Sequence, residues 1–157
     1  MRQSPGPHGV RNFTQVDATF ACGGALSKDA MASLKEAGFV TVVNLRAASE
    51  EGANVDAERE AAKAAGIRYA HLPFVSASPD ATKVDEFLKI VSDPARQPVL
   101  LHCNSGARAA MFWAIKRVLI DGWPVEQAMS ELPDLSKNAS DALKKFTLEY
   151  LKSHVKG

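Results

Sequence analysis

Apolar residues along this chain fall into two kinds of block, and the two alternate. One kind is short and nearly unbroken. Phe39-Val40-Thr41-Val42-Val43-Asn44-Leu45 is the strongest example and reads as a strand covered on both faces. Ile67-Arg68-Tyr69-Ala70-His71-Leu72, broken by Pro73, and Val99-Leu100-Leu101-His102 are two more. The other kind has helical spacing. Ser27 is expected to cap a helix with Met31, Leu34 and Ala37 on one side and Gly38 at its end. A second helix fits Asp56 to Ala65 before Gly66, and a third, capped by Thr82, carries Val84, Phe87, Leu88 and Val91. Further helices are predicted from about Arg108 to Ile120, from Pro124 to Leu132 and from Ser140 to about His154. The last is expected to bury Leu143, Phe146, Tyr150 and Leu151. Residues 13–22 suggest a hairpin closing at Gly23-Gly24.

Strands alternating with helices predict an α/β fold: one three-layer domain with a mostly parallel central sheet flanked by helices. Residues 1–11 read as a flexible lead-in and 12–157 as the domain. At 157 residues the chain is long enough for one sizeable core. Its net charge of +1 gives no reason to expect nucleic acid or anionic lipid as a partner, and no apolar run is long enough to span a bilayer. The opening residues lack the apolar segment of a signal peptide, so a cytoplasmic location is expected, or a periplasmic one if a leader has been removed. Two cysteines, Cys22 and Cys103, form neither a disulfide framework nor a zinc cluster, and no metal or cofactor is expected. Cys22 reads as a small buried hydrophobe or, alternatively, as a resolving thiol for an oxidised Cys103.

The chemistry concentrates in Val99 to Trp113. A strand ends at Cys103, a small-residue loop of Asn104, Ser105, Gly106 and Ala107 follows, and Arg108 opens a helix. Loop amides and the helix N-terminus then converge beside the thiol, a field that favours the thiolate nucleophile. Gly106 permits close backbone approach. Arg108 supplies a planar fork for an oxyanion, and the expected partner is a phosphorylated substrate or a small oxyanion. Cys103 also falls beyond the carboxyl end of a strand, where ligands bind in such sheets. His102 is expected to hydrogen-bond near the foot of the loop and support the thiolate indirectly. Asn104 and Ser105 line or shape the loop. Arg46 should emerge at a strand's carboxyl end, either adding charge to an anion pocket or tethering a loop through an ion pair. His71 reads as a satisfied strand histidine. Glu50, Glu51, Asp56, Glu58 and Glu60 read as a solvated acidic face.

The order and spacing of several segments resemble the protein tyrosine and dual-specificity phosphatase superfamily. Within it, the chain is similar to small bacterial phosphatase-like proteins, known as a domain of unknown function and sometimes fused to β-lactamase-like hydrolases. The resemblance covers Asn12 to about Leu132. It rests on Asn12-Phe13-Thr14-Gln15-Val16, Gly23-Gly24, Val42-Val43-Asn44-Leu45-Arg46, His71-Leu72-Pro73-Phe74, His102-Cys103-Asn104-Ser105-Gly106-Ala107-Arg108 and Gly122-Trp123-Pro124-Val125-Glu126-Gln127-Ala128. It implies hydrolysis of a phosphate monoester through a phosphocysteine on Cys103. It also implies a general acid on the loop after the Leu72 strand, for which Asp80 is the first candidate; Asp85, one turn into the next helix, is the second. The sequence departs from the superfamily pattern in two places. Four residues rather than five separate Cys103 from Arg108, and Ala109 stands where a Ser or Thr is usual. The shorter spacing resembles rhodanese-type sulfurtransferases, which carry a persulfide on the cysteine. A sulfurtransferase and a non-catalytic anion-binding module are therefore alternatives to the phosphatase.

Overall fold

In a computed structural model of the protein, residues 9–11, 13–27, 29–50, 53–75, 78, 80–103, 107–130 and 141–154 are described. The chain begins with a hairpin, β1 (Thr14–Asp17) and β2 (Phe20–Gly23), followed by α1 (Ala30–Glu36). Then come β3 (Thr41–Asn44), α2 (Val55–Ala65), β4 (Arg68–His71) and α3 (Ala81–Val91). A short 3-10 turn at Pro94–Arg96 leads to β5 (Val99–His102), α4 (Ala107–Leu119), α5 (Val125–Ser130) and α6 (Asp141–His154). The expected ends at Leu132 and Ser140 lie outside the described residues, as does the lead-in up to residue 8.

The sheet runs β1-β2-β5-β3-β4, parallel throughout except for the antiparallel β1–β2 hairpin. β5 therefore sits in the middle, with His102 level with Gly23 on one side and Asn44 on the other. Side chains on a strand alternate between faces, and here the alternation sorts two cores. Phe20, Cys22, Val43, Leu45, Val99, Leu101 and Cys103 join the core built with α3 to α6. Ala21, Val42 and Leu100 join the opposite core with Met31 and Leu34 of α1 and Ala62 of α2. α4 is apolar on all sides, with Ala109 to Ile115 almost wholly buried, as a helix enclosed by neighbours must be. The expected α/β architecture is the one observed.

Two helix starts differ from expectation. α3 is capped by Asp80, whose carboxylate accepts the Thr82 N–H at 3.0 Å, so Thr82 is the second helical residue rather than the cap. α1 begins after Asp29, while the Ser27 carbonyl takes the Ala30 N–H at 3.1 Å. α2 ends as its sequence suggests: Gly66, at φ 78°, adopts the left-handed conformation that closes a helix.

Candidate active site

β5 delivers Cys103 to the carboxyl edge of the sheet, where its backbone N–H donates to the Gly23 carbonyl at 3.2 Å. A Cβ on Gly23 would meet Val10 Cγ1 at 2.6 Å, so the absence of a side chain lets Val10 pack against this strand end. Cys103 is 1% exposed and faces the α4 side of the sheet. α4 opens at Ala107, which puts Arg108 in its first turn. Asn104, Ser105 and Gly106 lie outside the described residues.

Arg108 is held from several sides. Its Nη1 donates to Glu50 Oε2 at 2.7 Å and to the Phe74 carbonyl at 2.8 Å, with Leu45 O at 3.4 Å. Its Nη2 donates to Glu50 Oε1 at 2.7 Å, which completes a two-pronged pair. Cys103 lies near enough to favour the charge on the guanidinium. Burial works against the charge on Arg108. The bonds to Glu50 and the interaction with Cys103 outweigh it and hold the group above the ordinary arginine value. Glu50 is reciprocally lowered, chiefly by its hydrogen bonds from Arg108 and despite partial burial, with further help from the Ala47 N–H and from Arg46. The Ala47 N–H reaches Glu50 Oε2 at 2.7 Å, so the turn after β3 folds the carboxylate back onto the site. Arg46 is 3% exposed, and its Nε lies 3.6 Å from Glu50 Oε1. Arg46 thus shares a loop carboxylate with Arg108, the tethering arrangement.

His102 faces the opposite side of the sheet from Cys103. Its Nε2 lies 3.0 Å from Glu58 Oε1, and its Nδ1 lies 3.3 Å from the Cys103 carbonyl. The same Glu58 oxygen accepts from Tyr69 OH at 3.0 Å and from Asn44 Nδ2 at 3.3 Å. Asn44 Nδ2 also reaches Tyr69 OH at 2.7 Å, and Asn44 Oδ1 accepts the Arg46 N–H at 2.8 Å. Burial, followed by the neighbouring Glu58, pushes the Tyr69 hydroxyl well up and keeps it protonated despite the bond from Asn44.

Two carboxylates of the acidic run are therefore site residues rather than a solvated face. Glu50 carried no local signal, because its partner lies 58 residues away along the chain. Glu58 did carry one. Val55, Glu58 and Ala62 fall on one stripe of α2 (i, i+3, i+7), and Val55 and Ala62 are buried, so a carboxylate was being turned inward.

The other candidates are placed as follows. Asp80 is exposed, and Thr82 donates to its Oδ1 through both backbone and hydroxyl, at 3.0 and 2.6 Å. Those bonds hold its carboxyl below the ordinary aspartate value. Asp85 accepts the Tyr150 hydroxyl and so joins α3 to α6. His71 Nε2–H donates to the Arg46 carbonyl at 2.6 Å. Cys22 is 4% exposed, its thiol lies 3.8 Å from the Ala109 carbonyl, and burial, then the nearby Cys103, pushes it well up. Neither cysteine is in a disulfide. Among the described residues, no three His, Cys, Asp or Glu side chains gather as a metal site, and no helix is long and apolar enough to cross a membrane.

Residues 12–120 match the family model of the phosphatase-like domain of beta-lactamase hydrolase-like proteins. The chain belongs to that family. A beta-lactamase hydrolase-like protein of Xylella fastidiosa is 31% identical over 112 residues, which are 70% of this chain and 26% of that protein. The chain thus spans about a quarter of the length of the curated relative. The fold of this phosphatase-like domain recurs in a DUF442 protein of Shewanella putrefaciens (TM-score 0.80, 23% identity, 94% of this chain and 96% of the other). It recurs again in Pseudomonas aeruginosa TpbA solved with phosphotyrosine (TM-score 0.63, 22% identity, 82% of this chain and 79% of the other). The architecture is that of protein tyrosine phosphatase-like enzymes.

Proposed function

We propose that this phosphatase-like domain hydrolyses a phosphate monoester with Cys103 as nucleophile. The observation that carries the reading is Arg108, gripped by Glu50 and two carbonyls, with Cys103 near enough to favour the charge on its guanidinium. A guanidinium so held has lost its side-chain freedom before any substrate arrives, which is the preorganisation that transition-state charge stabilisation requires. In the proposed step the Cys103 sulfur attacks phosphorus and the bond to the leaving oxygen breaks. Arg108, with the amides of Asn104, Ser105, Gly106 and Ala107, stabilises the non-bridging oxygens. Water then cleaves the sulfur–phosphorus bond and returns the thiolate with inorganic phosphate. His102 and Arg46 support the site through their bonds to Glu58 and Glu50 rather than by touching substrate.

The leaving oxygen needs a proton when the ester's alcohol is a poor leaving group. Asp80 is the carboxyl of residues 73–80 and the proposed donor. Its cap bonds favour the ionised form, so donation requires it to release Thr82. The partner class proposed is a phosphorylated substrate, a reading that the phosphotyrosine held by TpbA supports. Sulfur transfer is the second reading, favoured by the four-residue spacing and by Ala109 in place of a hydroxyl residue. A persulfide route needs no acid at Asp80.

The test is hydrolysis of para-nitrophenyl phosphate by freshly reduced protein, with Cys103→Ser beside it. Turnover that disappears in the variant is the expected result. Equal rates in the two proteins would remove the cysteine mechanism. Absence of turnover together with thiosulfate-to-cyanide sulfur transfer would replace the phosphatase with a sulfurtransferase.

A further inference from the structure

Glu50 has a second face. Its two oxygens each hold Arg108 at 2.7 Å, and the same residue lines a cavity of about 500 Å³. That cavity lies between the β3–α2 connection, the start of α2 and the end of β4. Its polar walls are Glu50, Asn54, Asp56, Arg59 and His71, and alanines with one valine make up the rest of the described lining. The volume is that of a site able to enclose a small molecule, and the attack on phosphorus makes no use of it.

The charges on these walls are already matched. Glu50 is paired with Arg108, and Asp56 with Arg59, whose Nη1 lies 3.1 Å from Asp56 Oδ1. The cavity therefore holds no surplus cation for a second phosphate or a carboxylate. Nor do the described lining residues offer a phenol ring an aromatic face to stack on. What the walls do offer is hydrogen-bonding capacity. Paired carboxylates still have lone pairs with which to accept, and the Arg59 guanidinium keeps N–H groups beyond the one that Asp56 takes. The Asn54 side chain does not cap α2, so its amide is available at both ends. His71 commits Nε2 to the Arg46 carbonyl, which leaves Nδ1. Donors and acceptors interleaved without net charge match a group that both donates and accepts, and the hydroxyl is that group.

We propose that this cavity receives the alcohol half of the ester and selects a neutral, polyhydroxylated chain, so that the substrate is a polyol or sugar phosphate, with Arg59 and Asn54 as specificity residues. The proposal rests on the reading of Cys103 and Arg108 as the phosphoryl site. A phosphate on Arg108 sits one side chain away from the cavity, with Glu50 as the wall between them. The alanines and the valine leave room for the carbon chain, while the polar walls address its hydroxyls.

The test pairs two esters on the same six-carbon chain, sorbitol 6-phosphate and hexyl phosphate, which differ in their hydroxyls alone. Their affinities for Cys103→Ser, measured by titration calorimetry, need no turnover. Sorbitol 6-phosphate is expected to bind about tenfold more tightly, the yield of one hydrogen bond to a charged group. Arg59→Ala and Asn54→Gly in the same background are expected to bring that ratio toward one. Glycine is the choice at Asn54 because the backbone there sits at φ 44°. Equal affinities for the two esters or the reverse order, an unchanged ratio in both variants, or tighter binding of free phosphotyrosine than of sorbitol 6-phosphate would each overturn the proposal. Cys103-dependent turnover of para-nitrophenyl phosphate without the predicted ratio would remove the polyol and keep the phosphatase. The predicted ratio without turnover of any ester would remove the phosphatase and keep the cavity as a polyol phosphate site.

Discussion

Glu50 is the residue on which the two arginines of the site depend. It takes both prongs of Arg108, lies against Arg46 and accepts the Ala47 N–H. Replacing it by Gln keeps the shape but removes the charge that orients a partly buried guanidinium. Hydrogen bonds to charged groups contribute about 1.5–3 kcal/mol, so Glu50→Gln is expected to lower kcat/KM about ten- to hundredfold. Steady-state kinetics on para-nitrophenyl phosphate checks this. The same substitution has a signature in stability. The Glu50 carboxyl is lowered from an ordinary value near 4.5, so folding favours its ionised form. Its contribution is fully present above that ordinary value and is lost as pH falls through the lowered one. Melting temperature against pH should therefore drop less steeply in that acidic range for Glu50→Gln than for wild type.

At the scale of elements, the N-terminus of α3 carries two claims on one residue. Asp80 caps the helix, and it is also the proposed acid. Asn caps about as well as Asp, whereas Ala does not. Asp80→Asn is thus expected to retain the wild-type melting temperature while lowering turnover of alkyl phosphates, and to leave esters with good leaving groups such as para-nitrophenol less affected. Asp80→Ala should lower the melting temperature as well. Unchanged turnover of alkyl phosphates in Asp80→Asn would leave Asp80 a cap and nothing more. The β3–α2 connection shows how a loop can be built by its own side chain, since Glu50 folds back on Ala47 to reach Arg108 from the preceding strand's edge. β5 shows a different economy. Alternation sends Cys103 toward α4 and His102 toward α2, so one strand end places the thiol on one face of the sheet and the histidine on the other.

Across the whole molecule, local rules reached some features and not others. The strand at Val99 to His102 and the helix after Arg108 follow from apolar runs and small-residue punctuation, which act over a few residues. The position of Cys103 at the carboxyl edge followed from the same reading. The hairpin's role did not, because the parallel pairing of Phe20 with Val99 depends on contacts about eighty residues apart. Long range also explains why Glu50 reads as a solvated acid from sequence: its guanidinium partner arrives from α4, after two further strands have been laid down. Glu58 was within reach of the sequence, on the buried stripe of α2, but its partner His102 was not. The loop of Asn104, Ser105 and Gly106 rests on the sequence alone.

The central claim is a phosphoryl group carried on Cys103. The most direct measurement is acid quenching of reduced protein during turnover of para-nitrophenyl phosphate, followed by peptide mass spectrometry. A phosphate on the Cys103 peptide, absent in Cys103→Ser, is the predicted result. Steady turnover with Cys103 unmodified at every quench time, or a persulfide there instead, would contradict it.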